Sequence, residues 1–169
     1  MSTEAIQAEF HRPLPLDRIE PVGHVADIEA SSAECAALAV RLLLPAVLRL
    51  SCRFRLHTHP GGRVAAAGRL KARVVRTCVI TLDDFEVEID ERFSVGFVPE
   101  GTESDDSDPE SEDEIPYSGG TIDLGEAAVE QLALALDPYP RKPGAELPEM
   151  APDAENSPFA RLAALRQKN

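Results

Sequence analysis

Apolar and polar residues alternate at consecutive positions over residues 48–57. The even positions are apolar: Leu48, Leu50, Cys52, Phe54 and Leu56. The odd positions are polar and mostly basic: Arg49, Ser51, Arg53, Arg55 and His57. Because successive side chains of a β-strand point to opposite faces, this period of two predicts a half-buried strand with a basic outer face.

The same alternation resumes after a turn. Pro60-Gly61-Gly62 is typical of a chain reversal, and residues 63–74 then separate apolar from basic positions. The basic residues of this segment share one face: Arg69, Lys71 and Arg73. The parity slips by one at Val75-Arg76, which predicts a β-bulge or a bend into residues 77–82.

Other segments complete the predicted sheet. Residues 86–97 alternate again, and their hairpin-length connections predict an antiparallel meander. Residues 10–16 contain Pro13 and Pro15, whose spacing excludes a helix and a central strand but allows an edge strand. Residues 22–29 are a candidate short strand. We therefore expect roughly four to six strands, which is usual for a small domain.

Two helices are predicted from their capping residues. Ser31 with Glu34 forms a capping-box pattern, and good helix formers follow until Pro45 stops the helix, so we expect a helix over 31–44. Asp123 with Glu126 repeats the pattern and predicts a second helix over 123–136. The predicted fold class is α+β, an antiparallel β-meander with two packed helices.

The length of 169 residues corresponds to one average domain, and only 5% of the residues are aromatic, so its core should be aliphatic. We expect residues 1–140 to form a single α+β domain. Residues 100–114 contain many acids and few apolar side chains, which predicts a disordered acidic insertion in that domain. Residues 141–169 are predicted to be a Pro-rich tail, a mostly disordered linker followed by a short basic C-terminal helix.

The predicted C-terminal helix is a candidate for binding a protein partner. Ser157-Pro158 is a plausible N-cap followed by a first-turn proline. Its apolar residues repeat every three positions: Phe159, Leu162 and Leu165. This pattern predicts an apolar stripe on a helix that is otherwise decorated with basic residues.

The charges are strongly segregated along the chain. The net charge is −13, yet residues 35–82 contain no Asp or Glu. That segment holds nine bases: Arg41, Arg49, Arg53, Arg55, Arg63, Arg69, Lys71, Arg73 and Arg76. Residues 100–114 are the reverse, with many acids and no base. Local fields therefore matter more than the net charge.

The basic strand face has two interpretations. Its arginines could pair across strands with Glu86, Glu88 and Asp90, as is common on exposed sheets. The surplus of bases over these acids favours a surface for a polyanion, and arginine suits bidentate contacts with phosphate. The candidate nucleic-acid-binding residues are Arg49, Arg53, Arg55, Arg69, Lys71, Arg73 and Arg76. Without an aromatic pair on that face, we expect contacts with the backbone of structured RNA and no base readout.

Several chemistries are not expected. The three cysteines, Cys35, Cys52 and Cys78, and the pair His57 and His59 do not provide the four closely spaced ligands of a zinc site. We find neither a nucleophile elbow nor a Gly-rich phosphate loop. We therefore predict no enzyme activity, metal or cofactor. Without a signal-peptide pattern or an apolar run long enough for a membrane span, we expect a soluble, cytoplasmic protein that does not bind membranes.

Several motifs follow one another in a characteristic order: Phe10-His11-Arg12-Pro13-Leu14, the core 74–82 leading to 93–99, the acidic segment followed by Gly120-Thr121-Ile122-Asp123-Leu124, the helix end 134–140, and the closing 156–165. This order resembles the YceD family of large ribosomal RNA subunit accumulation proteins. Many members of the family resemble metal-binding proteins at this core, where they carry a Cys-x-x-Cys pair as a candidate metal site. Here Cys78 has no such partner, and the composition resembles the alphaproteobacterial branch.

The resemblance implies a bacterial protein that acts in ribosome biogenesis and supports the accumulation of large-subunit ribosomal RNA. The implied partners are ribosomal RNA or a pre-ribosomal particle, together with a ribosomal or biogenesis protein. It supplies no catalytic residue. The alternative is a protein-binding adaptor that docks through the last helix and touches no RNA.

Overall fold

The computed structural model describes residues 9–20, 22–103 and 113–146. Within these ranges the chain forms seven strands and two α-helices. In order they are β1 (Pro13–Pro15), β2 (His24–Glu29), α1 (Ser32–Arg41), β3 (Ala46–Thr58), β4 (Val64–Thr77), β5 (Asp84–Pro99), β6 (Asp113–Tyr117), β7 (Thr121–Asp123) and α2 (Leu124–Ala135).

Five strands form the main sheet, in the order β2-β3-β4-β5-β6. The β2–β3, β3–β4 and β4–β5 pairs are antiparallel, which confirms the predicted meander. The last pair, β5–β6, is parallel, so the meander does not extend to the edge strand. The edge-strand prediction for residues 10–16 is confirmed by β1, which pairs with β7 in a separate two-stranded sheet.

One face of the main sheet carries the core. The apolar positions of the alternating segments are buried, among them Leu50, Phe54 and Leu70, each 0% exposed. Leu38 of α1 and Leu132 of α2 belong to the same buried cluster. The α+β class is therefore confirmed, with both helices packed on the apolar face of the sheet.

The start of α1 follows its predicted chemistry. The Ser31 side chain accepts from the Glu34 amide, and the Glu34 carboxylate accepts from the Ser31 amide at 2.7 Å, so the capping box is complete. The helix ends at Arg41 rather than at residue 44 because Leu43 adopts a positive φ of 54°. That left-handed conformation cannot continue an α-helix.

The start of α2 uses half of the predicted capping box. The Asp123 carboxylate accepts from the amides of Gly125 and Glu126. The Glu126 side chain does not return to the cap and instead accepts from Arg41 of α1 at 2.9 Å. The same guanidinium donates to Glu9 at 3.0 Å, so a surface ion pair takes the place of the second capping bond.

The N-terminal segment contacts the N-terminal ends of both helices. The Arg12 guanidinium donates to both carboxylate oxygens of Glu34, at 2.7 and 2.9 Å, and lies 4.4 Å from the centre of the buried Phe10 ring. The Arg12 amide donates to Asp123 at 2.9 Å. One residue therefore contacts the N-terminal caps of both α1 and α2.

Of the two alternatives predicted at Val75-Arg76, the β-bulge is wrong, whereas the bend into residues 77–82 agrees with the turn that follows Thr77. The β4–β5 register runs without a shift along the whole of β4. The register shift instead lies in β3, between Val47 and Arg49, where Val47 is buried and Leu48 is 48% exposed. The unbroken β3 alternation predicted from residue 48 therefore begins only at residue 49. Residues 78–83 form a turn between β4 and β5 rather than a strand.

Two other predictions concern charged segments. Asp113 and Glu114 belong to β6, which corrects the predicted end of the acidic loop at residue 114. Residues 104–112 and 147–169 lie outside the described residues. The disorder predicted for the acidic loop and the linker therefore stays a prediction. The same holds for the C-terminal helix with Phe159, Leu162 and Leu165. None of the helices in the described ranges is long and apolar enough to cross a membrane.

Candidate nucleic-acid interface

The face of the main sheet opposite the helices is called the outer face here, and it carries alternate residues of β2–β5. Six of the seven predicted nucleic-acid-binding residues lie on it and are exposed: Arg49, Arg53, Arg55, Arg69, Lys71 and Arg73. The alternation of β3 and β4 places them there because the opposite positions are buried. The predicted basic strand face therefore exists as one surface.

Arg76 is the exception. The even-numbered residues of β4 up to Val74 are buried, and Arg76 continues this even-numbered series. Its side chain therefore points to the side of the sheet that carries the helices. Its Nη2 atom donates to the carbonyl oxygen of Asp137 at 2.6 Å, just beyond the end of α2. The structure therefore separates Arg76 from the other six candidates and gives it a contact with the end of that helix.

Strand β2, at one edge of the outer face, carries two acids that lie outside the acid-free segment 35–82. Asp27 and Glu29 of β2 lie beside β3, because β2 and β3 are antiparallel neighbours. Arg53 donates from Nε and Nη2 to the two oxygens of Asp27, at 2.6 and 3.0 Å, and Arg49 donates to Glu29 at 3.0 Å. The basic surplus is therefore smaller than the acid-free segment 35–82 indicated.

The predicted cross-strand pairs with β5 are also present in part. Arg69 donates from Nε and Nη2 to the two oxygens of Asp90, both at 2.7 Å. Arg73 contacts Glu86 at 2.6 Å, and the Lys71 ammonium lies 4.0 Å from Asp90. Much of the outer face is therefore a network of exposed ion pairs, which generally contribute little to stability.

These pairs keep the acids ionised. The hydrogen bond from Arg53 lowers the pKa of Asp27 below its usual value. The hydrogen bond from Arg69 lowers the pKa of Asp90, and the nearby charges of Lys71 and Arg92 lower it further. Both carboxylates are therefore charged at neutral pH, where they compete with any anion for the same guanidinium groups.

Four arginines gather at one end of the outer face, and they are called the arginine cluster here: Arg53, Arg55, Arg69 and Arg92. Arg53, Arg69 and Arg92 are directly opposite one another on β3, β4 and β5. Neighbouring strands are about 4.8 Å apart, so these three arginine residues form one row across the sheet. No ion pair or side-chain hydrogen bond joins Arg55 or Arg92 to another described residue.

The sequence analysis did not include Arg92 among the candidates. The signal was present, because the alternation of residues 86–97 places Arg92 on the same side as Glu86 and Asp90. Its neighbours in sequence are acidic, so a search for basic segments passes over it. Only the β4–β5 register shows that it lies beside Arg69.

The other end of the outer face is electrically balanced, and it is called the acid-paired end here. Its three bases, Arg49, Lys71 and Arg73, lie near three glutamates, Glu29, Glu86 and Glu88, and Lys71 also contacts Asp90. The arginine cluster has four bases near two carboxylates, Asp27 and the shared Asp90. The positive surplus of the outer face is therefore concentrated at the arginine cluster.

The outer positions of β2–β5 carry no Phe or Tyr in the strands that the structure describes. Base stacking on aromatic rings is thus not available there, which leaves contacts with phosphate and sugar groups. Within the described ranges no group of three or more potential ligands could hold a metal ion. The arginines of the outer face are suited to donate to phosphate oxygens.

Cys78 occupies a turn of unusual geometry. Its sulfur accepts from the amides of Ile80 and Thr81, at 3.4 and 3.5 Å, and Leu82 at the end of the turn has a positive φ of 61°. Hydrogen bonds from Thr81 lower the pKa of the Cys78 thiol to about 6. Burial instead raises the pKa of Cys52 to about 12.

Comparison with known protein families gives a match over much of the chain. The model of a protein family described as "Large ribosomal RNA subunit accumulation protein YceD" matches residues 66–166, which is more than half of the chain. This stretch includes most of β4, all of β5 and α2, and the described residues that follow α2. No curated protein and no solved structure matches the chain.

Proposed function

The chain belongs to the YceD family of large ribosomal RNA subunit accumulation proteins, and from this premise we propose that it is a non-catalytic ribosome-biogenesis factor of the bacterial cytoplasm. It binds large-subunit ribosomal RNA, or a precursor particle that contains it, through the outer face of the sheet. The family description concerns the accumulation of this RNA. Direct binding is the mechanism that we add.

The observation that carries the proposal is the row of Arg53, Arg69 and Arg92 across three strands. Like charges directly opposite each other in an antiparallel sheet destabilise it. Asp27 and Asp90 offset this repulsion at Arg53 and Arg69, but Arg92 has no carboxylate partner among the described residues. A bound polyanion would neutralise the positive charge that is left on this row.

The form of the surface favours a structured RNA over a single strand. Single-strand binding usually depends on aromatic side chains that stack with bases, and the outer positions of β2–β5 have none. Double-stranded RNA is recognised mainly through phosphates and 2′-hydroxyl groups across its shallow minor groove. An exposed sheet with arginines at its surface suits such contacts.

A second candidate function is that of a protein-binding adaptor. Three exposed apolar residues favour it: Val79 at 45%, Leu82 at 76% and Tyr139 at 71% exposure. The Val79 amide donates to the carbonyl oxygen of Pro140 at 2.9 Å, which brings the two segments together. On this alternative the partner is a ribosomal or biogenesis protein and the outer face touches no RNA.

Sedimentation of cell lysates on sucrose gradients tests the proposal. Cells that lack the chain should accumulate less large-subunit ribosomal RNA, and the tagged full chain should restore it and sediment with precursor particles. Arg55→Ala/Arg92→Ala should fail to restore the RNA. Arg18→Ala/Arg141→Ala is the matched control, because both arginines are exposed and neither belongs to β2–β5, the strands of the outer face.

The outcomes separate the two functions. Unchanged RNA levels in cells without the chain, together with its absence from precursor particles, would contradict the proposal. Sedimentation with particles that survives Arg55→Ala/Arg92→Ala but is lost in Leu82→Ser/Tyr139→Ser would identify the adaptor as the correct alternative.

A further inference from the structure

We propose that the arginine cluster is a discrete phosphate-binding site, in which Arg55 and Arg92 bind the phosphate group directly and Asp27 and Asp90 orient the two flanking arginines. The inference deepens the proposed function and rests on it, because it names the part of the outer face and the group of the RNA that meet. It further states that the acid-paired end of the same face contributes little.

The first argument is the free hydrogen-bonding capacity of Arg55 and Arg92. Each guanidinium carries five N–H donors. Neither side chain makes a hydrogen bond or ion pair with another described residue. Both are exposed, on neighbouring rows of the sheet. Within the described residues, they are therefore the two arginines of the outer face whose guanidinium donors are all free of carboxylates.

The second argument is the shape of the surface between them. Arg55 is level with Ala67 of β4, and Ala67 is level with Ser94 of β5. These small side chains leave a depression of about 580 Å³ that all four arginines line. The Ser94 hydroxyl makes no hydrogen bond with another described residue, so it adds an uncharged donor at the floor.

The third argument concerns the flanking pairs. Asp27 occupies Nε and Nη2 of Arg53, and Asp90 occupies the same two atoms of Arg69. Such bidentate pairs fix the plane of a guanidinium group. The Nη1 donors of both arginines stay available. An arginine held in place loses less conformational entropy when it binds a ligand, so the two acids preorganise the site.

The acid-paired end lacks these features. Arg49 and Arg73 are directly opposite each other, and each already contacts a glutamate. Glu88 is level with Arg73 and adds a carboxylate that repels phosphate. A phosphate there would have to displace one acid and approach another. The same face therefore contains one end suited to phosphate and one end that is not.

Two probes test the inference with the full chain. Inorganic pyrophosphate reports the phosphate site alone, and an RNA duplex of arbitrary sequence reports the proposed function. We expect Arg55→Gln/Arg92→Gln to weaken the binding of both probes at least tenfold at low salt. Arg49→Gln/Arg73→Gln removes the same charge from the acid-paired end and should weaken binding about threefold or less. Thermal unfolding of each variant checks that it folds.

A second pair of variants tests the role of the acids. Asp27→Asn removes a competing charge but also the group that orients Arg53. If Asp27 orients Arg53, the loss of that orientation should offset the loss of the competing charge, and the affinity for pyrophosphate should not rise. A rise in affinity in Asp27→Asn would show that this acid only blocks the site and would overturn its positioning role.

The outcomes distinguish the inference from the function on which it rests. Equal losses in the two arginine double variants would overturn the inference, even if RNA binds. Pyrophosphate binding that depends on Arg55 and Arg92, with no RNA binding, would support the site and contradict the proposed function. Failure of both probes to bind would overturn both. If Arg55→Gln/Arg92→Gln does not fold, Arg92→Gln alone provides the same comparison with Arg73→Gln.

Discussion

Gly125 lies against the backbone of Phe10 so closely that a β carbon at Gly125 would be 2.0 Å from the Phe10 carbonyl oxygen. The contact joins the first turn of α2 to the N-terminal segment, and Phe10 itself is fully buried. Since the close neighbour is backbone, it cannot turn away as a side chain could. The position therefore requires glycine for space, and not for its conformational freedom.

We expect Gly125→Ala to lower the free energy of unfolding by about 1–3 kcal/mol or more, the usual cost of overpacking. In an exposed helix the same change stabilises by roughly 1 kcal/mol, so the sign of the effect distinguishes the two situations. Urea unfolding of the variant measures it. Gly96→Ala is the control, because the nearest atom to a β carbon there is 4.0 Å away.

A second glycine is close to a side chain. A β carbon at Gly68 would be 2.1 Å from Cζ of Phe93, whose ring packs edge-on against Phe54 with centroids 5.6 Å apart. We expect Gly68→Ala to destabilise by about 1–3 kcal/mol, and by less in a Phe93→Leu background. Additive effects in a double-mutant cycle would show that the ring does not cause the cost.

Stability at acid pH should depend on Glu34. The hydrogen bonds from Arg12, and then from the Ser31 amide, lower the pKa of Glu34 from 4.5 to about 2. A carboxyl whose pKa is lower in the folded state contributes stability that is complete above its unfolded pKa and is lost as the pH falls. The free energy of unfolding should therefore fall between about pH 4.5 and 2.

Chemical denaturation at several pH values measures this contribution. Glu34→Gln should be less stable at neutral pH and should show a flatter decline between pH 4.5 and 2. Glu20→Gln is the control, because the Glu20 side chain is exposed. A decline of equal steepness in Glu34→Gln and in the unmodified chain would show that other carboxylates are responsible.

Cys78 should give a thiolate signal at an unusually low pH. Its pKa is lowered to about 6, first by the Thr81 side chain, whereas burial raises the pKa of Cys35 and Cys52. Ultraviolet absorbance of thiolate should therefore rise near pH 6 in the unmodified chain and not in Cys78→Ser. Thr81→Val should move the rise to higher pH.

The same shift has a consequence for stability. The unfolded thiol has a pKa of 9.0, so between about pH 6 and 9 the folded chain holds fewer protons at Cys78 than the unfolded chain. Stability should therefore increase with pH over this range. Cys78→Ser should remove that increase, and an unchanged slope in the variant would contradict the assignment.

Salt dependence offers a test of the outer face as an RNA surface. Each phosphate contact contributes about 0.7 to 0.9 to the slope of log affinity against log salt. Arg55→Ala/Arg92→Ala should therefore flatten the slope by about one to two, while Arg18→Ala/Arg141→Ala should leave it unchanged. Equal slopes in all three proteins would assign the outer-face arginines to ion pairing alone.

Strands β3 and β4 were predictable because their two faces meet different surroundings. Leu50 and Leu70 are buried in the core, whereas Arg53 and Arg69 are exposed to solvent, so apolar and basic residues alternate along the sequence. The α1 cap was predictable for a similar reason, since Ser31 and Glu34 are three residues apart and bond locally. Both predictions depend only on residues that are close together in the sequence.

Features set by distant parts of the chain could not be predicted. Asp27 meets Arg53 only because β2 pairs with β3, and Arg92 meets Arg69 only in the β4–β5 register. The burial of Val47 in place of Leu48 depends on a register shift against β4. The site therefore follows from strand order, which no single segment encodes.

The parallel pairing of β5 and β6 constrains the chain between them. The chain leaves β5 at Pro99 and re-enters the sheet at Asp113, which is level with Val95. It must return past four residues of strand, or about 13 Å, and move one strand spacing sideways. An extended chain spans at most about 3.6 Å per residue, so a connection of one or two residues could never close this crossover. Substitutions in this connection are compatible with the parallel pairing as long as its length is kept. Shortening it below this limit would detach β6 from the sheet.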